Sequence, residues 1–104
     1  MINDFDFSAY EKTVQGTEPA IIEFYKPSCP HCKRTEAGLQ ELAESYSGKI
    51  AFGKVNIEEQ TVLAQRLDVR TLPTLLFIRD GKEINRKTGF THKLIVEEEI
   101  KKLV

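Results

Sequence analysis

Ala20-Ile21-Ile22-Glu23-Phe24-Tyr25-Lys26-Pro27-Ser28-Cys29-Pro30-His31-Cys32 is the stretch on which the fold of this chain turns. Its first six residues are an apolar run broken by one acid. Such a run fits a strand in the middle of a sheet covered on both faces. Its last four residues set two cysteines two residues apart. Pro30 suits a first helical turn, where its missing N–H is no loss. Behind it Cys32, Thr35, Leu39, Leu42, Ala43 and Tyr46 recur at three- and four-residue steps, one buried stripe of a helix over residues 31–46. A cysteine pair at this spacing, where a strand hands over to a helix, is expected of a thiol that attacks disulfides.

The 104 residues are 40% apolar and 30% charged, an ordinary globular composition that fits one domain, residues 1–104. A chain of this length can bury a core without covalent staples. The net charge of −1 argues against a nucleic-acid surface or a basic membrane patch. No apolar stretch approaches the roughly 20 residues needed to span a bilayer. The N-terminus, Met1-Ile2-Asn3-Asp4-Phe5-Asp6-Phe7, has neither a basic n-region nor an apolar h-region, so a cytoplasmic address is expected. There cysteine pairs are more often catalytic or metal-binding than structural. Nothing demands more than a monomer.

Outward from the cysteines, Phe5, Phe7, Tyr10 and Val14 predict a short first helix ended by Gly16, with an abbreviated strand over residues 1–3 before it. Beyond Gly48, residues 50–57 read as a strand, with Ile50, Phe52, Lys54 and Asn56 facing one way and Ala51, Gly53, Val55 and Ile57 the other. Val62, Leu63, Ala64 and Leu67 predict a short helix. Pro73 opens a strand over residues 74–78, and Asp80-Gly81 has hairpin-turn chemistry, so residues 83–88 should return antiparallel as an edge strand. Thr91 is the expected cap of a last helix carrying Leu94, Ile95, Val96, Ile100, Leu103 and Val104. The sum is a three-layered α/β fold with a mixed sheet.

The nucleophile of disulfide exchange is the thiolate, and a free cysteine near pKa 8.5 is mostly protonated at neutral pH. Cys29 falls at the N-cap, where first-turn amides, that of Cys32 included, point at its sulfur. The helix dipole adds a few tenths to about 1 kcal/mol. His31, when protonated, adds positive charge beside the same sulfur. Both effects favour the ionised, reduced form, so Pro30 and His31 predict a pair more oxidising than a glycine-proline version. Cys32, on the buried stripe, is the expected resolving thiol. A purely structural disulfide is the competing reading, but closing so small a loop is worth only roughly 2 kcal/mol.

Glu23 is the only charge in its strand. Alternation sets Ile21, Glu23 and Tyr25 on one face, Tyr25 leading toward the cysteines. A buried carboxylate has a raised pKa and could exchange a proton with Cys32, with Lys54 as its natural charge partner. A solvent-facing glutamate on an edge strand is the alternative. His92 reads as an exposed residue near the start of the last helix, and Lys26, Lys33 and Arg34 as a weak hint of acidic partners. Cys29, Cys32, His31 and His92 supply metal-ligand atom types, but the second cysteine pair of a zinc ribbon is absent, so no metal is expected.

From about Pro19 to the C-terminus the chain resembles the thioredoxin family. The resemblance rests on the apolar strand with its acid, Cys29-Pro30-His31-Cys32-Lys33, Lys54-Val55-Asn56-Ile57, Val69-Arg70-Thr71-Leu72-Pro73-Thr74-Leu75, Asp80-Gly81 and Thr88-Gly89. It implies the thioredoxin fold, a mixed sheet of four or five strands flanked by about four helices. It implies a thiol–disulfide oxidoreductase that reduces protein disulfides through a redox-active Cys29–Cys32 disulfide and binds no cofactor. It also implies a cis Leu72–Pro73 peptide facing the cysteines and a contact surface of Tyr25, Ile57, Thr71, Leu72, Pro73 and Gly89. The usual electron donor would be a flavoprotein reductase drawing on NADPH. Where the family usually has Gly-Pro, Pro30-His31 looks like the motif of the periplasmic oxidant DsbA, which makes an oxidant or isomerase the runner-up. Tyr25 and Ser28 stand at common tryptophan positions, Glu23 replaces the usual Asp, and Ala37 a helix-kinking proline. A non-catalytic binding module on the same fold is the remaining alternative.

Overall fold

The computed structural model describes residues 2–104. In chain order its elements are β1 (Asn3–Asp4), α1 (Phe7–Gln15), β2 (Ala20–Tyr25), α2 (Pro30–Ser45), β3 (Ala51–Asn56), α3 (Thr61–Arg66), β4 (Thr74–Arg79), β5 (Lys82–Thr88) and α4 (Lys93–Leu103). Among the described residues the strands form one sheet in the order β1-β3-β2-β4-β5. β1 and β2 run parallel to β3, while β2–β4 and β4–β5 are antiparallel. The apolar run at residues 20–25 is therefore the central strand, hydrogen-bonded on both sides. This overturns the edge-strand alternative for Glu23.

Strand alternation sends the two sets of side chains into two cores. On one face Ile21, Phe52, Leu75 and Phe77 pack against Leu39, Leu42 and Ala43 of α2 and Val96, Ile100 and Leu103 of α4. On the other, Ile22, Phe24, Val55 and Leu76 meet Leu63 and Ala64 of α3, with Tyr10 and Val14 of α1 packed alongside. Full burial of each such side chain stabilises by about 1.5–3 kcal/mol, which fixes the register of the three inner strands β2, β3 and β4. The Asp80-Gly81 turn has positive φ at both residues (54° and 77°), the geometry that matches the twist of a two-residue hairpin.

Several boundaries move from their expected places. Residue 1 of the expected first strand lies outside the described residues, and the strand is Asn3–Asp4. Phe5 precedes α1, whose N-cap is Asp6 accepting from the Ala9 amide. The cap of α4 is His92 rather than Thr91: its Nδ1 accepts the Leu94 N–H at 3.1 Å. Thr91 is instead buried, its amide donating to Thr35 Oγ1 of α2 at 3.2 Å. Val62, Leu94, Ile95 and Val104 are exposed, because the short helices bury a narrower stripe than their apolar content suggests. Glu99 takes a buried place on α4, bonded to Asn85 and Lys102.

The Phe5 ring lies where a side chain on Gly53 of β3 would stand, so bare backbone at this position lets β1 and its following turn close over the sheet. Gly53→Ala is expected to displace that ring and destabilise the fold by about 1–3 kcal/mol. The shift in the urea unfolding midpoint measures it, and an unchanged midpoint would show that Phe5 moves aside freely.

Candidate active site

α2 starts one residue after Cys29, whose φ of −98° and ψ of 107° are extended. Its Sγ accepts the N–H of Cys32 at 3.2 Å, as a capping oxygen would, with Pro30 in the first turn. The backbone fastens the same corner: Lys33 N donates to Cys29 O, and Cys29 N to Lys26 O, both at 3.2 Å. The two cysteines are joined as a disulfide with Cα atoms 5.3 Å apart. Cys29 is 7% exposed and Cys32 2%, so the capping sulfur is the outer one. Pro30 and His31 are exposed beside it. The redox group belongs to the chain itself, and among the described residues no cluster of three or more His, Cys, Asp or Glu side chains is grouped to hold a metal ion.

Two clefts flank this corner. One, of about 570 Å³, runs past Cys29 and Pro30 and is lined by Ile57, Val69, Arg70 and Leu72. The Leu72–Pro73 peptide is cis, as the family resemblance implied. Pro73 is buried, and its carbonyl accepts the Gly89 N–H at 2.8 Å, tying the β5–α4 turn to the same loop. Thr71 is exposed, its carbonyl accepting from Thr74 Oγ1. Of the expected contact residues, Ile57 and Leu72 thus line the groove beside Cys29. Thr71, Pro73 and Gly89 belong to the loops behind it. Tyr25 lies on the other side.

That second cleft, of about 410 Å³, is lined by Tyr25, Cys32, Glu36, Gln40 and Lys54 among others. The strand neighbour of Lys54 is Glu23, fully enclosed on the central strand between Lys54 of β3 and Leu75 of β4. Neither carboxylate oxygen has a hydrogen-bond partner among the described residues. Burial, reinforced by the nearby Glu36 carboxylate and partly offset by Lys54, pushes the Glu23 carboxyl up to about 8. Lys54, expected from the sequence to be its charge partner, does not pair with it. The ammonium instead lies 3.0 Å from Glu36 Oε2 of α2 and 5.2 Å from the centroid of the Tyr25 ring. The Tyr25 hydroxyl donates to Asp4, and burial followed by that carboxylate raises its pKa.

Glu36 is the site residue that the sequence reading missed. Its signal was present: it stands four residues after Cys32, one helical turn along the same face. Arg34 lies with its guanidinium 4.2 Å from the Phe90 ring, so one of the three motif cations packs on an aromatic face rather than standing free.

A mixed sheet in this order, with a cis-proline loop and a disulfide whose outer sulfur caps a helix, defines a thioredoxin-fold domain with a redox-competent cysteine pair. The thioredoxin family model matches residues 2–102. A thioredoxin from Haemophilus influenzae is 33% identical over 88 residues, covering 85% of this chain and 80% of the relative. The chloroplastic M-type thioredoxin of Pisum sativum is 30% identical over 105 residues, 100% of this chain. The chain spans 59% of that relative and 56% of the one from Spinacia oleracea. Among solved structures, the Malassezia sympodialis thioredoxin superposes with a TM-score of 0.89 at 22% identity, covering 99% of this chain and 90% of that one. The oxidised mitochondrial thioredoxin 3 of Saccharomyces cerevisiae gives 0.88 at 24% identity, covering 98% and 95%. The chain belongs to the thioredoxin family.

The buried acid makes stability depend on pH. A carboxyl at its ordinary value of 4.5 when unfolded and about 8 when folded holds its proton more tightly in the native state. Stability is therefore full below the unfolded value and is lost as pH rises toward the folded one. Glu23→Gln removes that loss. It is expected to leave stability little changed at pH 4 and to raise it by a few kcal/mol at pH 8. Urea melts of both proteins at the two pH values check this, and an equal difference at both would contradict a proton-linked cost.

Proposed function

We propose that this protein, acting as a single monomeric domain in the cytoplasm, reduces protein disulfides by dithiol–disulfide exchange. The observation that carries the proposal is the sulfur N-cap: Cys29 Sγ receives the Cys32 amide at the positive end of α2, next to an open groove. An anion is better served there than a neutral thiol, and the thiolate is the attacking form. Cys29 attacks one sulfur of a substrate disulfide, and the electron pair of the broken bond leaves on the other. Cys32 then gives up its proton and attacks Cys29 Sγ, releasing the second substrate sulfur as a thiolate and closing the Cys29–Cys32 disulfide. The substrate gains two electrons and the dithiol loses two.

Glu23 is the proton acceptor for Cys32. The second cleft joins Cys32 to Lys54, the strand neighbour of Glu23, and a carboxyl near 8 can be both emptied and refilled around neutral pH. Ile57, Leu72 and the cis Pro73 loop, with Tyr25, Thr71 and Gly89 around them, bind an extended substrate segment. The redox group is the chain's own disulfide, so no bound cofactor is called for. An NADPH-dependent flavoprotein of the thioredoxin-reductase kind restores the dithiol. A yeast structure among the fold's neighbours concerns thiol resolution of a mitochondrial 1-Cys peroxiredoxin via glutathione/thioredoxin systems, which suits thiol–disulfide work on protein partners.

The pair Pro30-His31 favours a second reading, in which the same chemistry runs as a dithiol oxidant or isomerase. An exposed imidazole in the first helical turn stabilises the thiolate, and every 1.4 kcal/mol gained by the reduced form raises the potential by about 30 mV.

Insulin reduction by dithiothreitol, followed by turbidity, is expected to accelerate in the presence of the protein and not of Cys29→Ser. Cys32→Ser is expected to accumulate mixed disulfides detectable by mass. No acceleration by the unaltered protein would leave a binding module instead. Replacing Pro30 by Gly and His31 by Pro together is expected to lower the potential by roughly 30 mV or more in equilibration with glutathione. An unchanged potential would remove His31 and Pro30 from the tuning role.

A further inference from the structure

The geometry points to Glu36 as a positioning residue of this site: by engaging Lys54 at the solvent end of the Cys32 cleft, it withholds from Glu23 the ion pair that the strand register offers. The inference rests on Glu23 being the proton acceptor for Cys32.

Glu23 and Lys54 are register neighbours on adjacent parallel strands, so their side chains leave the sheet on the same face. A lysine beside an enclosed carboxylate with no other partner would ordinarily pair with it. Here the ammonium goes instead to Glu36 Oε2 at 3.0 Å, over the Tyr25 ring. Gln40 Nε2 approaches the same oxygen from one turn further along α2, at 3.4 Å. The Lys54 and Glu36 side chains are 18% and 22% exposed, whereas Glu23 is fully enclosed. Two carboxylates thus share one ammonium, and the outer, partly hydrated one holds it. That choice follows from desolvation: bringing the ammonium inward would strip water from both partners of the inner pair.

Other charges near this face are occupied. On α4, Glu97 accepts from the Tyr46 hydroxyl, Glu99 bonds Asn85 and Lys102, and Lys93 pairs with Glu41 of α2. β4 presents the apolar Leu75 beside Glu23, and Tyr25 is bonded to Asp4. Lys54 and Glu36 are accordingly the charges that act on Glu23. Glu36 sets the fraction of Glu23 that is ionised, and so the pH at which the Cys32 proton has somewhere to go.

The test follows the Glu23 carboxyl by 13C NMR titration of the reduced protein, in parallel with the pH profile of mixed-disulfide resolution by Cys32. Glu36→Gln is expected to free Lys54 and lower the Glu23 midpoint by about half a unit or more, which is about threefold in the ionised fraction below it. The resolution profile should move with it. In a Lys54→Met background the same substitution should shift the midpoint by less than half as much, because only like-charge repulsion remains to be removed. An unshifted midpoint in Glu36→Gln would overturn the inference. A full shift without Lys54 would overturn it too, since Glu36 would then act directly on Glu23. A carboxyl midpoint that moves while the resolution profile does not would instead dismiss Glu23 as the acceptor, leaving the role of Glu36 toward Lys54 standing.

Discussion

A sulfur sits where helices usually place an oxygen. The amides of a first helical turn have no partner within the helix, and a side chain from the preceding residue normally supplies one. In this protein Cys29 Sγ takes that place, which makes the end of β2, the start of α2 and the reactive atom one structural unit. The strand cannot shift register without moving Ile21, Ile22 and Phe24 out of their cores, so the cap is held by both hydrophobic layers at once. Chemistry and fold share an anchor, because the cap that starts the helix also favours charge on the sulfur.

The central strand carries a second, opposing demand. Glu23 occupies a place on β2 that an aliphatic residue would fill with gain, and its oxygens find no donor among the described residues. Such a group avoids an uncompensated charge by keeping its proton, and the raised pKa is the form the desolvation penalty takes. Stability at neutral pH is therefore given up at this one position of the sheet. The two cysteines stand in contrasting surroundings: one at the positive end of a helix by a groove, the other nearly enclosed and lining a cleft with Glu36 and Lys54.

Much of this is legible in the sequence alone. The apolar run at 20–25, the helix opened by Pro30 and the Asp80-Gly81 turn follow from local rules, since run length, proline stereochemistry and positive-φ tolerance act within a few residues. The enclosure of Glu23 was half legible: the alternation was plain, but whether β2 was central depended on strand order, which is a long-range property. The partner of Lys54 was not legible. Register favours Glu23, and Glu36 wins because α2 crosses that face of the sheet at a height the sequence does not encode locally. The cap of α4 was missed for a related reason: Thr91 is a good capping residue, but its amide is committed to Thr35 on α2, and His92 serves instead.

The contrast between Glu23 and Glu36 shows how burial rather than distance along the chain decides which carboxylate holds an ammonium. Both acids lie on the face of the sheet that α2 covers, yet the pair forms where water still reaches both members. An ion pair at the bottom of the cleft would gain from the low dielectric only what remained after both charges were stripped of water, and that balance is often unfavourable. The protein settles for a modest outer pair and a neutral inner acid. An acid whose pKa is raised becomes, once ionised, a stronger base, whereas one locked in an ion pair would be too weak a base to draw a proton from sulfur at neutral pH. The arrangement that costs the fold least thus also leaves the inner carboxyl poised in the range where a thiol exchanges its proton.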